Sequence, residues 1–443
     1  MRLCDIIETY ISGDWGNDEP TEDASCPVSC IRGADIVPIY NSEYNNIPLR
    51  YISEKSLSNR ALQEGDIVIE KSGGSPTQST GRVVYISKEL LEEKQDIVCS
   101  NFCAAFRIKP EWDAKYVYYY LQHVYNAGVF FNFEGKTSGL KNLIMDTAFK
   151  SITIKKIAIE TQRSIATVLS TIESKMAANR AINHYLEAMV KQLYDYWFVQ
   201  FDFPDANGKP YKSSGGNMIW NEKLKREIPE GWSSEIFSEL SDINKSTLSK
   251  RDNIPTIEYL DTSSITEGIV SETQYLDRHS APSRAQRKVE DLTIVYSCVR
   301  PRLLHYGILC NPPTNFIVST GFATIDAKDK AYSILLYYFL ISCETTEHLG
   351  DIADTAVSSY PAINPSDIGS LRTIVPPRSL SLSFQEKVEV MIREAKRLHL
   401  ENKELEKKRD YLLPLVMTGQ VSVKQLNNDL PLTFIIIRKT SQI

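Results

Sequence analysis

The stretch Gly65-Asp66-Ile67-Val68-Ile69 opens a pattern that the chain repeats from Glu290-Asp291-Leu292-Thr293-Ile294. In both copies, a second apolar strand-like segment, an apolar or aromatic run and a long helix follow in the same order. The first copy has these at residues 105–108, residues 116–121 and a helix that begins near Gln162, and the second has them at residues 322–325, residues 335–340 and a helix that begins near Gln385. This duplication predicts two similar modules, suited to recognising two similar features.

Both long helical segments carry apolar residues at steps of three and four, which is the spacing of a coiled-coil seam. Each seam contains one asparagine, a residue that costs stability at a core position but fixes register. Two matched helices in one chain most simply pair with each other in antiparallel fashion, although each could instead pack on its own domain. The positions predicted to pair are Ile165, Leu169, Ile172, Asn179, Leu186 and Leu193 in the first helix and Val388, Met391, Leu398, Asn402, Leu405 and Leu412 in the second.

The predicted fold class is α+β, with two β-rich domains joined by two long antiparallel coiled-coil helices and a pseudo-twofold internal repeat. A chain of 443 residues is expected to hold more than one hydrophobic core. We expect a first β-rich domain at residues 1–155, a central helix at 156–203, a linker at 204–232, a second β-rich domain at 233–377, a second helix at 378–425 and a C-terminal tail at 426–443.

The composition excludes several classes of protein. A hydrophobic content of 42% with 24% charged residues argues against general disorder. No apolar run reaches the length of a membrane span and the N-terminus does not resemble a signal peptide, so we expect a cytoplasmic protein without a membrane partner. The eight cysteines include the pairs Cys26/Cys30 and Cys99/Cys103, but neither has the second knuckle typical of zinc sites. We therefore expect reduced structural thiols and no bound metal.

A net charge of −6 gives no overall electrostatic case for nucleic-acid binding, so such binding must depend on local patches. The loop 71–82 places small hydrogen-bonding residues between two basic ones, a pattern that can approach base edges while its ends hold phosphates. A plain hairpin loop is the alternative. Candidate DNA-binding residues are Lys71, Ser72, Ser75, Thr77, Gln78, Ser79, Thr80, Arg82, Lys136 and Lys141 in the first module and Arg284, Arg287, Arg300, Arg302, His305 and Tyr360 in the second.

No catalytic constellation is visible. The six histidines are dispersed and form no recognisable triad or metal motif. Asn311-Pro312-Pro313-Thr314 resembles the motif with which amino-group methyltransferases hold a flipped adenine, but threonine replaces the stacking aromatic residue. No Gly-rich strand-turn-helix for S-adenosylmethionine precedes it, so we interpret this segment as a turn.

The order of these segments resembles the specificity (S) subunit of type I restriction-modification systems, the HsdS family. The resemblance covers roughly residues 1–425, and its last motif is fairly specific. Besides Gly65–Ile69 with Lys71-Ser72-Gly73, the residues that carry it are Glu160-Thr161-Gln162-Arg163-Ser164-Ile165-Ala166, Trp197-Phe198-Val199-Gln200-Phe201-Asp202-Phe203, Pro229-Glu230-Gly231-Trp232 and Arg409-Asp410-Tyr411-Leu412-Leu413-Pro414-Leu415-Val416-Met417-Thr418-Gly419-Gln420-Val421.

The resemblance implies a non-catalytic subunit with two target recognition domains, each reading one half of a gapped site on double-stranded DNA. The paired helices would set the spacer and dock two modification (methyltransferase) subunits. Those partners, rather than this chain, would bind S-adenosylmethionine and methylate a flipped adenine. Restriction/translocase subunits would join to cut unmodified DNA. The alternative function is a coiled-coil scaffold with two β-rich ligand-binding heads and no role with nucleic acid.

Overall fold

The computed structural model describes residues 1–73, 78–137, 140–249, 251–355 and 361–421. The chain divides into two compact units, one formed by Met1–Arg180 with the chain from Glu401 on, the other by Ala181–Leu400. Each unit contains sheets and helices, as the α+β prediction requires. The boundaries predicted for the domains stay predictions, and the predicted tail at 426–443 lies outside the described residues.

The described residues of the first unit form ten strands and seven α-helices before the chain enters the second unit. The strands are β1 Ile7–Ser12, β2 Cys26–Ile31, β3 Leu49–Ile52, β4 Ile67–Glu70, β5 Ser72–Gly73, β6 Val83–Tyr85, β7 Ile97–Cys99, β8 Cys103–Ile108, β9 Glu134–Thr137 and β10 Leu140–Leu143. The helices are α1 Leu3–Ile6, α2 Ile36–Tyr40, α3 Glu54–Arg60, α4 Lys88–Glu93, α5 Ala114–Asn126, α6 Met145–Ser151 and α7 Ile159–Tyr194.

In the first unit, β4 is an inner strand of the largest sheet. The four-stranded sheet has the order β1-β8-β4-β6 and is antiparallel throughout. A three-stranded sheet, β3-β2-β7, contains one parallel pair, β2 with β7. Ile67 and Ile69 of β4 enter one hydrophobic core and Val68 enters another. Because both faces of β4 are buried, its sequence is a continuous apolar run rather than an alternating one.

In the described part of the second unit there are fourteen further strands and five α-helices. The strands are β11 Met218–Asn221, β12 Arg226–Pro229, β13 Ser233–Ile236, β14 Ser241–Ile243, β15 Thr256–Leu260, β16 Ile265–Thr266, β17 Ile269–Val270, β18 Gln274–Asp277, β19 Ala285–Lys288, β20 Ile294–Ser297, β21 Tyr306–Ile308, β22 Phe316–Ser319, β23 Phe322–Ala327 and β24 Arg372–Val375. The helices are α8 Phe237–Leu240, α9 Ser333–Leu340, α10 Cys343–Thr355, α11 Pro365–Ser370 and α12 Arg378–Thr418, of which α12 continues into the first unit.

The second unit repeats the sheet plan of the first. Its antiparallel sheet has the order β14-β23-β20-β21, and β20 is again buried on both faces. Its other sheet, β18-β15-β22-β19, contains one parallel pair, β15 with β22. The matching strand orders confirm the internal repeat predicted from the sequence. In the sheet with the parallel pair, the second unit has an additional edge strand, β19, which carries Arg287.

Within the first unit, the start of α7 and the end of α12 run antiparallel. Asn179 Nδ2 donates to Asn402 Oδ1 at 2.9 Å, and Asn402 Nδ2 donates to the Met176 carbonyl at 3.1 Å. Farther along, the charges of Glu173 and Arg409 interact. The partner's residue number on α12 therefore rises as the residue number on α7 falls, which is the order expected of antiparallel helices. The predicted positions Ile165, Leu169, Ile172 and Leu412 share one core, with Leu405 packed against it.

Within the second unit, the end of α7 and the start of α12 also run antiparallel. The rings of Phe198 and Phe384 meet edge to face with centroids 4.7 Å apart. Farther along the two helices, the charges of Glu187 and Lys396 interact. Val388 lies in the shared core, and the predicted positions Leu193 and Met391 pack against it. Leu398 is buried, whereas Leu186 is only half-buried.

A buried glutamine near the start of each long helix binds the start of a shorter helix in the same unit, α5 in the first unit and α9 in the second. Gln162 Oε1 accepts a hydrogen bond from the Asp113 amide at 3.0 Å, just before α5, and Gln162 Nε2 donates to the Ile157 carbonyl at 2.9 Å. Gln385 Oε1 accepts from the Ile334 amide at 3.5 Å, at the start of α9. These contacts satisfy amides at helix starts that have no partner within the helix. The two glutamines are those near which the sequence predicted the long helices to begin.

Two local features differ from the expectations. Helix α7 ends at Tyr194, and a π-helical turn, Asp195–Val199, follows it. The predicted linker 204–232 contains the hairpin β11–β12, whose turn is closed by Asn221 Oδ1 accepting from the amides of Lys223 and Leu224.

The eight cysteines are all free thiols. In the described part of the chain, no helix is long and apolar enough to cross a membrane.

Candidate nucleic-acid interface

In the first unit, two patches that are distant in sequence become one surface. Strand β5 pairs with β10, so that Ser72 lies opposite Asn142 and Gly73 lies opposite Lys141. Ser72 Oγ donates to Asn142 Oδ1 at 2.5 Å. On the other side of β10 lies β9, which places the backbone of Lys136 beside Lys141. We call this surface, formed by residues 71–73, 78–82, 102, 134–137 and 140–143, the first corner.

Two ion pairs hold the first corner together. Arg82 donates from Nε and Nη2 to the two oxygens of Glu70, at 2.9 and 2.6 Å, and the Glu70 side chain is only 3% exposed. Lys141 Nζ lies 3.4 Å from Glu134 Oε2 and donates to the Gln78 carbonyl at 3.1 Å. Because each pair joins residues from different strands or loops, these charges fix the shape of the corner.

Burial changes the picture of three predicted DNA-binding residues. Ser79 and Thr80 are 3% and 0% exposed, and Glu134 Oε1 accepts from both the amide and the hydroxyl of Thr80. The Arg82 side chain is only 18% exposed because it neutralises Glu70. These three residues therefore support the loop and do not present free groups to DNA. Gln78 is exposed and Lys71 and Ser72 are partly exposed, whereas the Lys141 side chain is only 15% exposed. Ser75 and Thr77 lie outside the described residues.

The second unit has a corresponding surface around the turn between β22 and β23. The Cys298 amide donates to the Gly321 carbonyl at 2.9 Å, and the Thr320 amide donates to the Arg284 carbonyl at 2.8 Å. The Arg300 amide donates to the Pro361 carbonyl at 2.9 Å. These contacts bring residues 284–287, 297–305, 320–321 and 361–362 together, and we call this surface the second corner. It collects most of the basic residues that the sequence predicted for the second module.

The basic residues of the second corner differ in their surroundings. Arg302 forms ion pairs with Asp351 at 2.6 Å and Asp354 at 3.4 Å, both on α10, and it remains 49% exposed. His305 Nδ1 lies 2.6 Å from the Ile265 carbonyl. Arg287 Nη1 donates to Thr247 Oγ1 at 3.4 Å. Arg302 and His305 thus tie neighbouring segments together, while Arg284 lies on the exposed surface. Tyr360 lies outside the described residues.

The two corners have the same construction. In the first, the Lys71 amide donates to the Phe102 carbonyl, and β5 pairs with β10 ahead of α6. In the second, the Cys298 amide donates to the Gly321 carbonyl, and Val299 pairs with Ala362 ahead of α11. Each unit therefore presents a loop that follows its central strand and is held by the segment before a short helix.

Two cysteines, one beside the first corner and one in the second, are poor nucleophiles. Burial raises the pKa of the Cys103 thiol to about 11 and that of the Cys298 thiol to about 11, so both stay protonated at neutral pH. A thiol in that state is a poor nucleophile. Hydroxyl, amide and basic groups remain, and these are the groups that proteins use to contact phosphates and base edges.

Sequence reasoning missed Asn142 and Phe102. Asn142 enters the first corner only through the pairing of β5 with β10, which joins residues far apart in the chain. Phe102 occupies the turn between β7 and β8 and is 57% exposed. The signal in the sequence that could have indicated Phe102 is an aromatic residue in a turn between two buried strands.

The geometry agrees with comparisons to known proteins. Residues 24–188 match the family model described as "Type I restriction modification DNA specificity domain". The specificity subunit of the MjaIX type I restriction enzyme from Methanocaldococcus jannaschii is 22% identical over 409 residues, which cover 89% of this chain and 88% of that protein. Over most of its length the chain is therefore similar to type I restriction-modification specificity subunits.

Two further specificity subunits resemble the chain. The specificity subunit of the HindI type I restriction enzyme from Haemophilus influenzae is 21% identical over 317 residues, covering 59% of this chain and 67% of that protein. The crystal structure of an S subunit from M. genitalium is similar with a TM-score of 0.59 and 14% identity, covering 94% of this chain and 95% of that one. This structural likeness shows that the overall fold is shared.

Proposed function

We propose that this chain is the sequence-specific DNA-recognition subunit of a type I restriction-modification complex and reads a bipartite, gapped site. The observation that carries the proposal is the duplicated corner. Two units with the same strand order each present a loop held by the same pair of backbone contacts. Two corners in one chain suit a target with two separate halves, each read by one corner.

The polar groups of the corners fit the edges of base pairs. Hydroxyl and amide side chains such as Ser72, Gln78 and Asn142 can donate and accept hydrogen bonds in the major groove. Arg284 and Arg300 are of the residue type that contacts guanine most often. Direct DNA contact by the residues predicted from the sequence stays a prediction, and the supporting residues Thr80 and Arg82 would act through the shape of the loop.

The charges of the corners indicate that other subunits supply much of the phosphate contact. Arg82, Lys141 and Arg302 are all engaged in ion pairs with carboxylates of this chain. Non-specific DNA affinity arises mainly from cations that neutralise phosphates. With those cations engaged and a net charge of −6, the isolated chain is expected to bind DNA weakly.

The partners that we propose are two modification subunits and the restriction/translocase subunits. Members of this family specify DNA and leave the chemistry to other subunits, so this chain would need no cofactor of its own. S-adenosylmethionine would bind to the modification subunits, which would flip and methylate an adenine. A subunit that reads the DNA of the cell would act in the cytoplasm.

The test is a methylation map. The chain is co-expressed with its modification subunit, and the host DNA is sequenced for N6-methyladenine. A single gapped, bipartite motif that disappears without this chain is the expected result. A soluble complex that methylates no motif would contradict the proposal and favour the alternative, a coiled-coil scaffold whose β-rich heads bind ligands other than nucleic acid.

A further inference from the structure

We propose that Phe102 contacts the methyl group of a thymine in the major groove of the half-site read by the first corner. The inference rests on the proposed function and adds to it a specificity-determining residue. Apolar contact with the thymine methyl group is one of the ways in which side chains distinguish base pairs in the major groove.

The main chain of Phe102 is held against the first corner. Its carbonyl accepts hydrogen bonds from the amides of Lys71 and Ser72, at 2.8 and 3.0 Å. The turn itself is closed by the Cys103 amide, which donates to the Ser100 carbonyl at 2.9 Å. Three backbone hydrogen bonds therefore fix the position from which the ring projects, beside the loop that carries Lys71 and Ser72.

Phe102 is an exposed apolar residue in a turn whose flanking residues are buried. Its side chain is 57% exposed, whereas Ser100 and Cys103 on either side of the turn are 1% and 0% exposed. Single exposed apolar residues are common on proteins and need no explanation by themselves. Here the exposed ring is anchored by its backbone beside the hydrogen-bonding groups of Ser72 and Asn142, so it adds an apolar group next to them.

The extent of exposure favours contact with a methyl group over insertion between base pairs. A side chain that unstacks a base step must offer both faces of its ring to the two bases. Close to half of the Phe102 surface is covered by its own protein, and 57% of it remains open. That area is enough to cover a methyl group that projects from a base edge.

The second corner lacks this group. The residue that accepts the corresponding hydrogen bond, from the Cys298 amide, is Gly321. A Cβ added at Gly321 would come within 2.8 Å of the Thr262 side chain, so this position has little room for a side chain. The methyl contact is therefore expected in one half of the target only, although the two corners share their backbone plan.

The experiment uses the full chain in complex with its modification subunit and duplexes that carry the motif found by methylation mapping. Each thymine of both half-sites is replaced in turn by deoxyuridine, which removes only the methyl group, and dissociation constants are measured at constant salt. For the wild type, one position in the first half-site should weaken binding about four-fold, the value for burying one methyl-sized group. For Phe102→Ala that position should show no effect, and Phe102→Leu should retain most of it.

The control is Tyr10→Ala, which removes an aromatic ring that is 49% exposed on β1 of the same unit. It should keep the wild-type response to deoxyuridine at every position. If Phe102→Ala binds the motif specifically but responds to each deoxyuridine as the wild type does, the inference about Phe102 is wrong and the proposed function stands. If the wild-type complex shows no preference for the mapped motif over an unrelated duplex, the proposed function itself fails.

Discussion

The asparagine pair between the two long helices allows a quantitative test of how the first unit is held together. Asn179 is fully buried and Asn402 is 7% exposed, and their side chains bond to each other at 2.9 Å. Asn402 also donates to the Met176 carbonyl. Asn402→Leu removes both hydrogen bonds, each worth about 0.5–1.5 kcal/mol. It also leaves the buried amide of Asn179 with a weaker partner, so we expect a loss of about 2–3 kcal/mol in the free energy of unfolding.

Replacing both asparagines should cost much less than the sum of the single changes. The double variant Asn179→Leu/Asn402→Leu removes both polar groups, including Asn179 Oδ1, which is buried without a hydrogen-bond partner among the described residues. Exchange of a matched buried polar pair for apolar residues is often neutral or stabilising. We expect the double variant to lie within about 1 kcal/mol of the wild type, so the coupling energy between the two asparagines should be at least about 1 kcal/mol.

The assay is urea unfolding of the wild type, both single variants and the double variant, followed by a double-mutant cycle. Gln192→Leu, at an exposed position of the same helix, is the control and should change the unfolding free energy by no more than about 0.5 kcal/mol. Additivity of the two single variants to within about 0.5 kcal/mol would refute a direct interaction between the asparagines.

Three further predictions concern the corners and the first unit. Arg82→Ala should lower the melting temperature because it leaves the buried Glu70 unpaired, a change that typically costs about 3–5 kcal/mol. Lys71→Ala should leave the melting temperature unchanged and reduce the salt dependence of DNA binding by about one charge. Burial raises the pKa of Glu173, so the folded protein holds this proton more tightly than the unfolded chain, and stability should fall as the pH rises above the ordinary carboxyl range. Glu173→Gln should flatten that part of the stability profile measured by thermal melting. Exchange of residues 233–377 for those of another specificity subunit should alter one half of the methylated motif, and alteration of both halves would contradict the two-module interpretation.

Much of the fold was predictable because its strongest signals are periodic and local. Apolar residues at steps of three and four predicted the two helices, and the asparagines at their seams meet as expected. The strands β4 and β20 are continuous apolar runs because both of their faces are buried. The parallel pairs, β2 with β7 and β15 with β22, had no comparable signal, since parallel strands are joined by long connections and their register depends on the whole unit.

The candidate site was less predictable, because exposure within a loop depends on residues far away in the sequence. Loop 71–82 has a composition suited to DNA, yet Thr80 is buried by Glu134, which is supplied by β9. Arg302 lies beside a proline in an apparently open loop, yet it meets Asp351 and Asp354 of α10. In each case a distant carboxylate decided the role of the residue, and no local pattern indicated that carboxylate.

These distant carboxylates suggest why an acidic protein can carry a DNA-reading surface. In the first corner, Glu70 and Glu134 use the charges of Arg82 and Lys141 to fix the loop, which leaves neutral groups such as Ser72 and Asn142 at the surface. Neutral groups contribute little to non-specific attraction, which scales with the number of phosphates neutralised. They can nevertheless discriminate strongly between bases, because an unmatched polar group is costly to desolvate. A subunit built in this way would add sequence preference to a complex whose affinity for DNA comes from its partners. Substituting Glu134→Gln should then disturb discrimination more than affinity, because it loosens the position of Lys141 and the loop without removing any basic residue.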